Sequence, residues 1–162
     1  YDMDMCVKYE APIVITSLGA KEWVNEMVHS YGGIVLHDII NNRFAKKAIE
    51  KGADGLIAVA AGAGGHAGTT SPMALIQEIR EWFDGPLLLS GAIATGDAVL
   101  ASQAMGADLA YIGSAFIAAD EALASNQSTF FNFFGLLFLS SKANSLIIFI
   151  SDLACERMST KL

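Results

Sequence analysis

Short apolar runs and amphipathic stretches follow one another along most of the chain. From residue 12 to residue 118 each apolar run leads into a segment with apolar positions at helical spacing, and most of these segments stop at a glycine. The runs are Pro12 to Thr16 (PIVIT), Ile34 to Asp38 (IVLHD), Gly55 to Ala60 (GLIAVA), Pro86 to Ser90 (PLLLS) and Leu109 to Gly113 (LAYIG). They are almost continuously apolar instead of alternating, as expected of parallel strands covered on both faces. The spacing between their starts leaves room for one crossover helix each, so the rhythm is βα.

The intervening segments predict four helices. In Ala20 to Tyr31, residues Trp23, Val24, Met27, Val28 and Tyr31 recur on one side, and Gly32 with Gly33 supplies a left-handed stop. A second helix starts at Asn41 or Asn42, carries Phe44, Ala45, Ala48 and Ile49 on one face and ends at Gly52. In the third, Ser71 is the N-cap with Pro72 in the first helical position, and Leu75, Ile76, Ile79, Trp82 and Phe83 form the buried stripe. The fourth runs from an N-cap at Thr95 through Val99, Leu100 and Met105 to Gly106. Asp54 and Asp108 each stand in the phrase GAD before a strand, where a carboxylate is expected to cap the helix-to-strand turn. An open doubly wound sheet and part of a (β/α)8 barrel both satisfy this rhythm. A complete barrel needs roughly 250 residues, and the chain has 162.

After Gln127 the rhythm stops. The stretch STFFNFFGLLFLSSKANSLIIFI holds six of the nine phenylalanines and one charge, Lys142. Its Asn, Ser and Lys residues interrupt any apolar run of the ~20 residues that span a bilayer, so no membrane partner is expected despite the apolar tail. The chain therefore divides into 10–127, a partial barrel-type domain, and 128–162, a hydrophobic tail outside that pattern. Composition narrows the class further. With 53% hydrophobic and 17% charged residues the chain can build a core, which excludes wholesale disorder. Seventeen acidic residues against ten basic ones give a formal charge of −7, which opposes phosphate backbones, so nucleic acid is not an expected partner. Cys6 and Cys155 form neither a CxxC pair nor a Cys/His cluster. A reducing, cytoplasmic setting and the absence of a metal site are the expectations.

Three segments carry candidate chemistry. The first is AGAGGHAG, Ala61 to Gly68, after the strand GLIAVA. Its glycines permit close backbone approach to a flat or anionic ligand, and His66 places one imidazole at the C-terminal end of a strand, where α/β active sites form. The second and third are SGAIATG, Ser90 to Gly96, and GSAF, Gly113 to Phe116. Two successive strand ends of small residues can aim N–H groups and a hydroxyl at one phosphate. His29 is expected at a helix surface. His37, beside Asp38 near a strand end, is expected to be structural, although it can share the cleft of His66.

The phrases GADGLIAVAAGAGGHAG, EIREWFDGPLLLSGAIATG and AMGADLAYIGSAF, in this order and separation, resemble the nitronate monooxygenase family, formerly the 2-nitropropane dioxygenases. The resemblance covers about residues 10 to 127. It implies an FMN-dependent (β/α)8 barrel, of which these strands are the latter part, and oxidation of alkyl nitronates or nitroalkanes to carbonyl compounds and nitrite with dioxygen. The family's GGH motif falls on Gly64, Gly65 and His66, making His66 the catalytic histidine beside the flavin. Its phosphate loops fall on Ser90, Gly91 and Ala92 and on Gly113 and Ser114. Ala92 stands where glycine is usual, Gly62 where glutamate is common, Val59 where many members have glutamine, and Ser114 where many have threonine. The resemblance implies a small nitroalkane or nitronate substrate, and a homo-oligomer is compatible with it. Three strands of a barrel find no match, so a fragment is expected, with a non-catalytic truncation as one alternative. An FMN-dependent enoyl reductase-like enzyme is the other, sharing the barrel and the GGH loop but drawing electrons from a nicotinamide cofactor.

Overall fold

The computed structural model describes residues 2–64 and 67–113. Five strands and five helices alternate: α1 (Asp2–Lys8), β1 (Ile13–Thr16), α2 (Glu22–His29), β2 (Ile34–Ile39), α3 (Asn42–Glu50), β3 (Gly55–Val59), α4 (Pro72–Arg80), β4 (Leu87–Ser90), α5 (Gly96–Ala104) and β5 (Leu109–Tyr111). All five strands fall inside or within one residue of the apolar runs. Helix α1 lies outside the predicted set. The expected tail, 128–162, lies outside the described residues.

The sheet is parallel throughout, in the order β1-β2-β3-β4-β5. A doubly wound sheet reverses its strand order partway, because its helices fill both faces. Here the order never reverses. The main core joins Ile39, Leu56, Ala58, Leu87 and Leu89 of the strands to Ala45 and Ala48 of α3 and Leu75, Ile76 and Ile79 of α4. Val99 of α5 joins Ala110 and Ile112 in the same manner. The opposite face is a cluster of strand residues alone: Leu36, Ile57 and Leu88, with Ile13, Ile15, Val59, Leu109 and Tyr111 against them. Among the described residues, helices on one side and a helix-free layer of apolar side chains on the other define an arc of a (β/α)8 barrel, with the second face as its interior.

Local chemistry explains the helix starts. The side chains of Asn41, Ser71 and Thr95 each accept the backbone N–H three residues on, from Phe44, Ala74 and Ala98, at 3.0, 3.3 and 3.3 Å. An Ala in such a position would forfeit about 1 kcal/mol. The buried stripe of α2 differs from expectation. Val24, Asn25 and Val28 are buried, whereas Trp23 is 55% exposed. Asn25 turns inward because its Nδ2 donates to the Lys51 carbonyl at the end of α3, at 2.7 Å. Phe44 and Leu100 likewise lie outward of Ala45 and Val99.

The two GAD phrases build the same joint twice. Asp54 gives its N–H to the Val35 carbonyl at 2.9 Å, and its Oδ2 accepts the Val35 N–H at 2.7 Å. Asp108 does the same with Leu87, at 2.8 Å in both directions. Each carboxylate thus pins the first residues of the preceding strand to the start of its own. A side chain from the helix that enters that preceding strand completes each joint: the His29 imidazole of α2 lies 2.8 Å from Asp54 and the Arg80 guanidinium of α4 lies 2.7 Å from Asp108. Arg80 also donates to the carbonyls of Phe83, Gly85 and Gly106. These joints sit at the N-terminal end of the sheet, where they serve stability and leave the other rim to chemistry.

Candidate active site at the C-terminal rim of the sheet

Side chains alternate across each strand. Asp38 therefore shares the interior face with Leu36, and Ser90 shares it with Leu88. Register aligns Val59 with Ser90 and Ser90 with Tyr111, so these three form a row at the C-terminal ends of β3, β4 and β5. Asp38 is paired with Ile57 in the row below. Val59, Ser90, Tyr111 and Asp38 are half-buried.

His37 takes the opposite side. Its Nδ1 is 2.6 Å from the Thr16 hydroxyl, and the residue is buried among the core positions that face the helices. Burial, followed by the positive charge of Lys51, holds its pKa below the ordinary 6.5. It is a structural histidine, as preferred from sequence, and does not share the interior face. Among the described residues the carboxylate on the interior face is its neighbour, Asp38. Sequence reading passed over Asp38 and Tyr111. The only signal for them is strand parity, which near-continuous apolar runs hide.

The loop after β3 is closed at its base. Gly68 donates to the Val59 carbonyl at 3.0 Å and Ala61 to the Thr70 carbonyl at 2.9 Å. A Cβ on Gly68 would come within 2.7 Å of the Ile40 carbonyl and 2.9 Å of that of Val59, so only glycine passes there. Gly65 and His66 belong to this loop and lie outside the described residues. Gly64, just before them, has open space around its Cα, with nothing within 4 Å of an added Cβ. Gly113, at the end of β5, is equally open; Ser114 lies outside the described residues.

The loop after β4 is wedged into the first turn of the β3 loop. Ser90 accepts the Ala60 N–H at 2.9 Å, and Ala92 donates to the Gly62 carbonyl at 3.1 Å. Gly91 has φ +131° and Ala92 φ +55°. For Ala92 that left-handed conformation costs roughly 1–2 kcal/mol, which is why glycine is the usual residue in such a place. Since the Ala92 N–H is taken by Gly62, Ala92 serves the loop through its conformation. Gly64 and Gly113 leave backbone at the rim free of side chains, which fits a group with a flat ring and a phosphate, whereas the Cα of Gly91 faces the 60–63 turn. Among the described residues no group of three or more His, Cys, Asp or Glu side chains converges as a metal site, and no helix is long and apolar enough to cross a membrane.

The one-sided sheet and its unbroken parallel strand order define the class: part of a (β/α)-barrel domain. The particular family follows from comparison with known proteins. The nitronate monooxygenase family model matches residues 2–129, and the chain belongs to that family. It is 28% identical over 123 residues to a nitronate monooxygenase of Neurospora crassa, covering 70% of this chain and 32% of the relative. Nitroalkane oxidase from Streptomyces ansochromogenes superposes with a TM-score of 0.72 at 28% identity, over 78% of this chain and 40% of that one. FabK from Thermotoga maritima superposes with a TM-score of 0.67 at 26% identity, over 74% and 38%. The chain spans about a third of the length of the curated relatives it matches.

Proposed function

We propose that this chain supplies the flavin-phosphate rim of an FMN-dependent enzyme that oxidises alkyl nitronates and nitroalkanes to carbonyl compounds and nitrite with dioxygen. Family membership over residues 2–129 carries the reading. The wedged loops after β3 and β4, at the end of the sheet where barrel enzymes work, support it.

In this reading Ser90 and Gly91, with Ala92 fixing the bend and Gly113 and Ser114 beyond β5, hold the phosphate. Gly64 and Gly65 leave room for the ring. FMN, when bound, would supply the redox chemistry between substrate and dioxygen. His66 removes the α-proton of a neutral nitroalkane or, when protonated, stabilises the anionic nitronate. Val59 and Tyr111 flank Ser90 and restrict water on the interior side.

The test is direct. The protein is incubated with FMN, desalted and examined for visible flavin absorbance, then assayed for nitrite. Retained flavin and nitrite release are expected; a colourless, inactive protein counts against the reading. His66→Asn should keep its flavin and lose turnover of the neutral nitroalkane, with a smaller loss on preformed nitronate. Turnover equal to that of the parent would remove His66 from the mechanism.

A second reading has its own observation, the likeness to FabK. An enoyl reductase-like enzyme would take electrons from a nicotinamide cofactor. Rapid anaerobic bleaching of the bound flavin by NADH, with no nitrite from nitroalkanes, selects it.

A further inference from the structure

The 90–92 loop is shaped by a residue that lies outside it. Gly91 sits inside the turn made by residues 60–63: a Cβ there would be 3.1 Å from the Ala60 and Ala61 carbonyls and from the Ala63 nitrogen. The next residue locks the arrangement from both sides. Its N–H bonds to the Gly62 carbonyl at 3.1 Å, and its methyl fills the space that a side chain on residue 62 would need. An added Cβ on Gly62 would lie 2.9 Å from the Ala92 Cβ and 3.4 Å from the Ala92 nitrogen. Gly62 itself has φ +92°. Residues 62 and 92 therefore compete for one volume, and both lie where an L side chain is rarely accommodated.

We propose that Gly62 is a positioning residue for the phosphate loop. It touches no phosphate itself; by lacking a side chain it lets Ala92 seat, and through Ala92 it fixes the orientation of Ser90 and Gly91. A methyl at residue 62 pushes Ala92 outward and tilts the loop away from a phosphate monoester, while the remainder of a flavin site is left in place. The inference rests on the reading that the 90–92 loop holds the phosphate of FMN.

The experiment uses the full chain and three variants: Gly62→Ala, Ala92→Gly and the double variant. Dissociation constants for FMN and for riboflavin, which lacks the phosphate, are measured by quenching of flavin fluorescence, and Tm by circular dichroism. Gly62→Ala should weaken FMN by about tenfold or more while changing riboflavin by less than about twofold, the size of a direct contact between coupled residues. Adding Ala92→Gly removes the methyl-methyl conflict and should return FMN affinity to within about threefold of the Ala92→Gly protein. Its Tm stays below that of the Ala92→Gly protein, because alanine at φ +92° is still strained.

Three results would each overturn the proposal: FMN affinity unchanged in Gly62→Ala, riboflavin weakened as much as FMN, or a double variant no better than Gly62→Ala. If Gly62→Ala does not fold, recovery of a folded, FMN-binding double variant supports the proposal, and a double variant that also fails to fold overturns it. If the parent binds neither flavin, the flavin reading fails on its own. The seating of Ala92 by Gly62 is then read from Tm: strongly non-additive shifts support that contact, and additive shifts overturn it.

Discussion

The Thr16 hydroxyl and the His37 imidazole meet at 2.6 Å where β1 pairs with β2, on the helix-covered side of the sheet. This bond satisfies the Nδ1 of a buried ring whose pKa is lowered by burial and, to a lesser extent, by the charge of Lys51.

A pH dependence follows from that lowered pKa. The folded chain releases the His37 proton at a lower pH than the unfolded chain does. Stability is therefore complete above about 6.5, the ordinary histidine value, and is lost as pH falls below it toward the lowered folded value. Urea unfolding between pH 7.5 and 5.5 should show a steeper loss for the parent than for His37→Gln. Parallel curves would mean that His37 titrates alike in the folded and unfolded chains. Thr16→Val should cost about 1 kcal/mol at pH 7.5, the usual net value of one such bond.

The carboxylate joints should matter through their backbone bonds more than through their ion pairs. The side chains of His29 and Asp54, and that of Asp108, are at least a third exposed, so the His29–Asp54 and Arg80–Asp108 contacts contribute little by themselves. Asp108→Ala strips the Leu87 N–H of its partner and should cost about 1–3 kcal/mol in urea unfolding. Asp108→Asn, which keeps an acceptor oxygen, should cost less. A loss below about 0.5 kcal/mol for Asp108→Ala would show that water replaces the carboxylate.

Core and surface substitutions should separate cleanly on the helix side. Leu89, 1% exposed, packs between β4 and the helices, and Leu89→Ala should cost about 2–5 kcal/mol. Trp23→Ala, despite its larger side chain, should fall within about 0.5 kcal/mol of the parent, since Trp23 is 55% exposed. A large loss for Trp23→Ala would reveal packing that this exposure does not explain.

Asp38 is the carboxylate of the interior face near the C-terminal rim. In the proposed enzyme Asp38→Asn should leave FMN retention unchanged and lower nitrite production by about 10- to 100-fold, the worth of one charge-assisted hydrogen bond. Steady-state rates with flavin content measured in parallel check this. Unchanged rates would leave Asp38 a purely structural group.

Much of this was legible in the residues. The apolar runs located all five strands, Ser71 and Thr95 marked two N-caps that the structure keeps, and of Asn41 and Asn42, both open as the second helix start, Asn41 is the cap. Asp54 and Asp108 proved to be strand-end caps, as their GAD phrases suggested. The inward face of α2 was misjudged at Trp23, because the Asn25 amide has a partner only once α3 is docked beside it. The departures at Gly62 and Ala92 read as two separate oddities in the sequence. They are one contact: the space left by the absent side chain is filled by the added methyl.

The sequence by itself determined the βα rhythm, the caps and the glycine-rich strand ends, because propensity, capping and left-handed backbone are local matters decided within a few residues. Only the tertiary structure decided that the strands run in unbroken order with the helices on one side, and so form part of a barrel and not a doubly wound sheet. It alone turned His37 toward the helices and Asp38 and Ser90 toward the interior. The reason is physical. A strand apolar on both faces carries no alternation to say which face is which, and that choice is made only by the helices that come to rest against it.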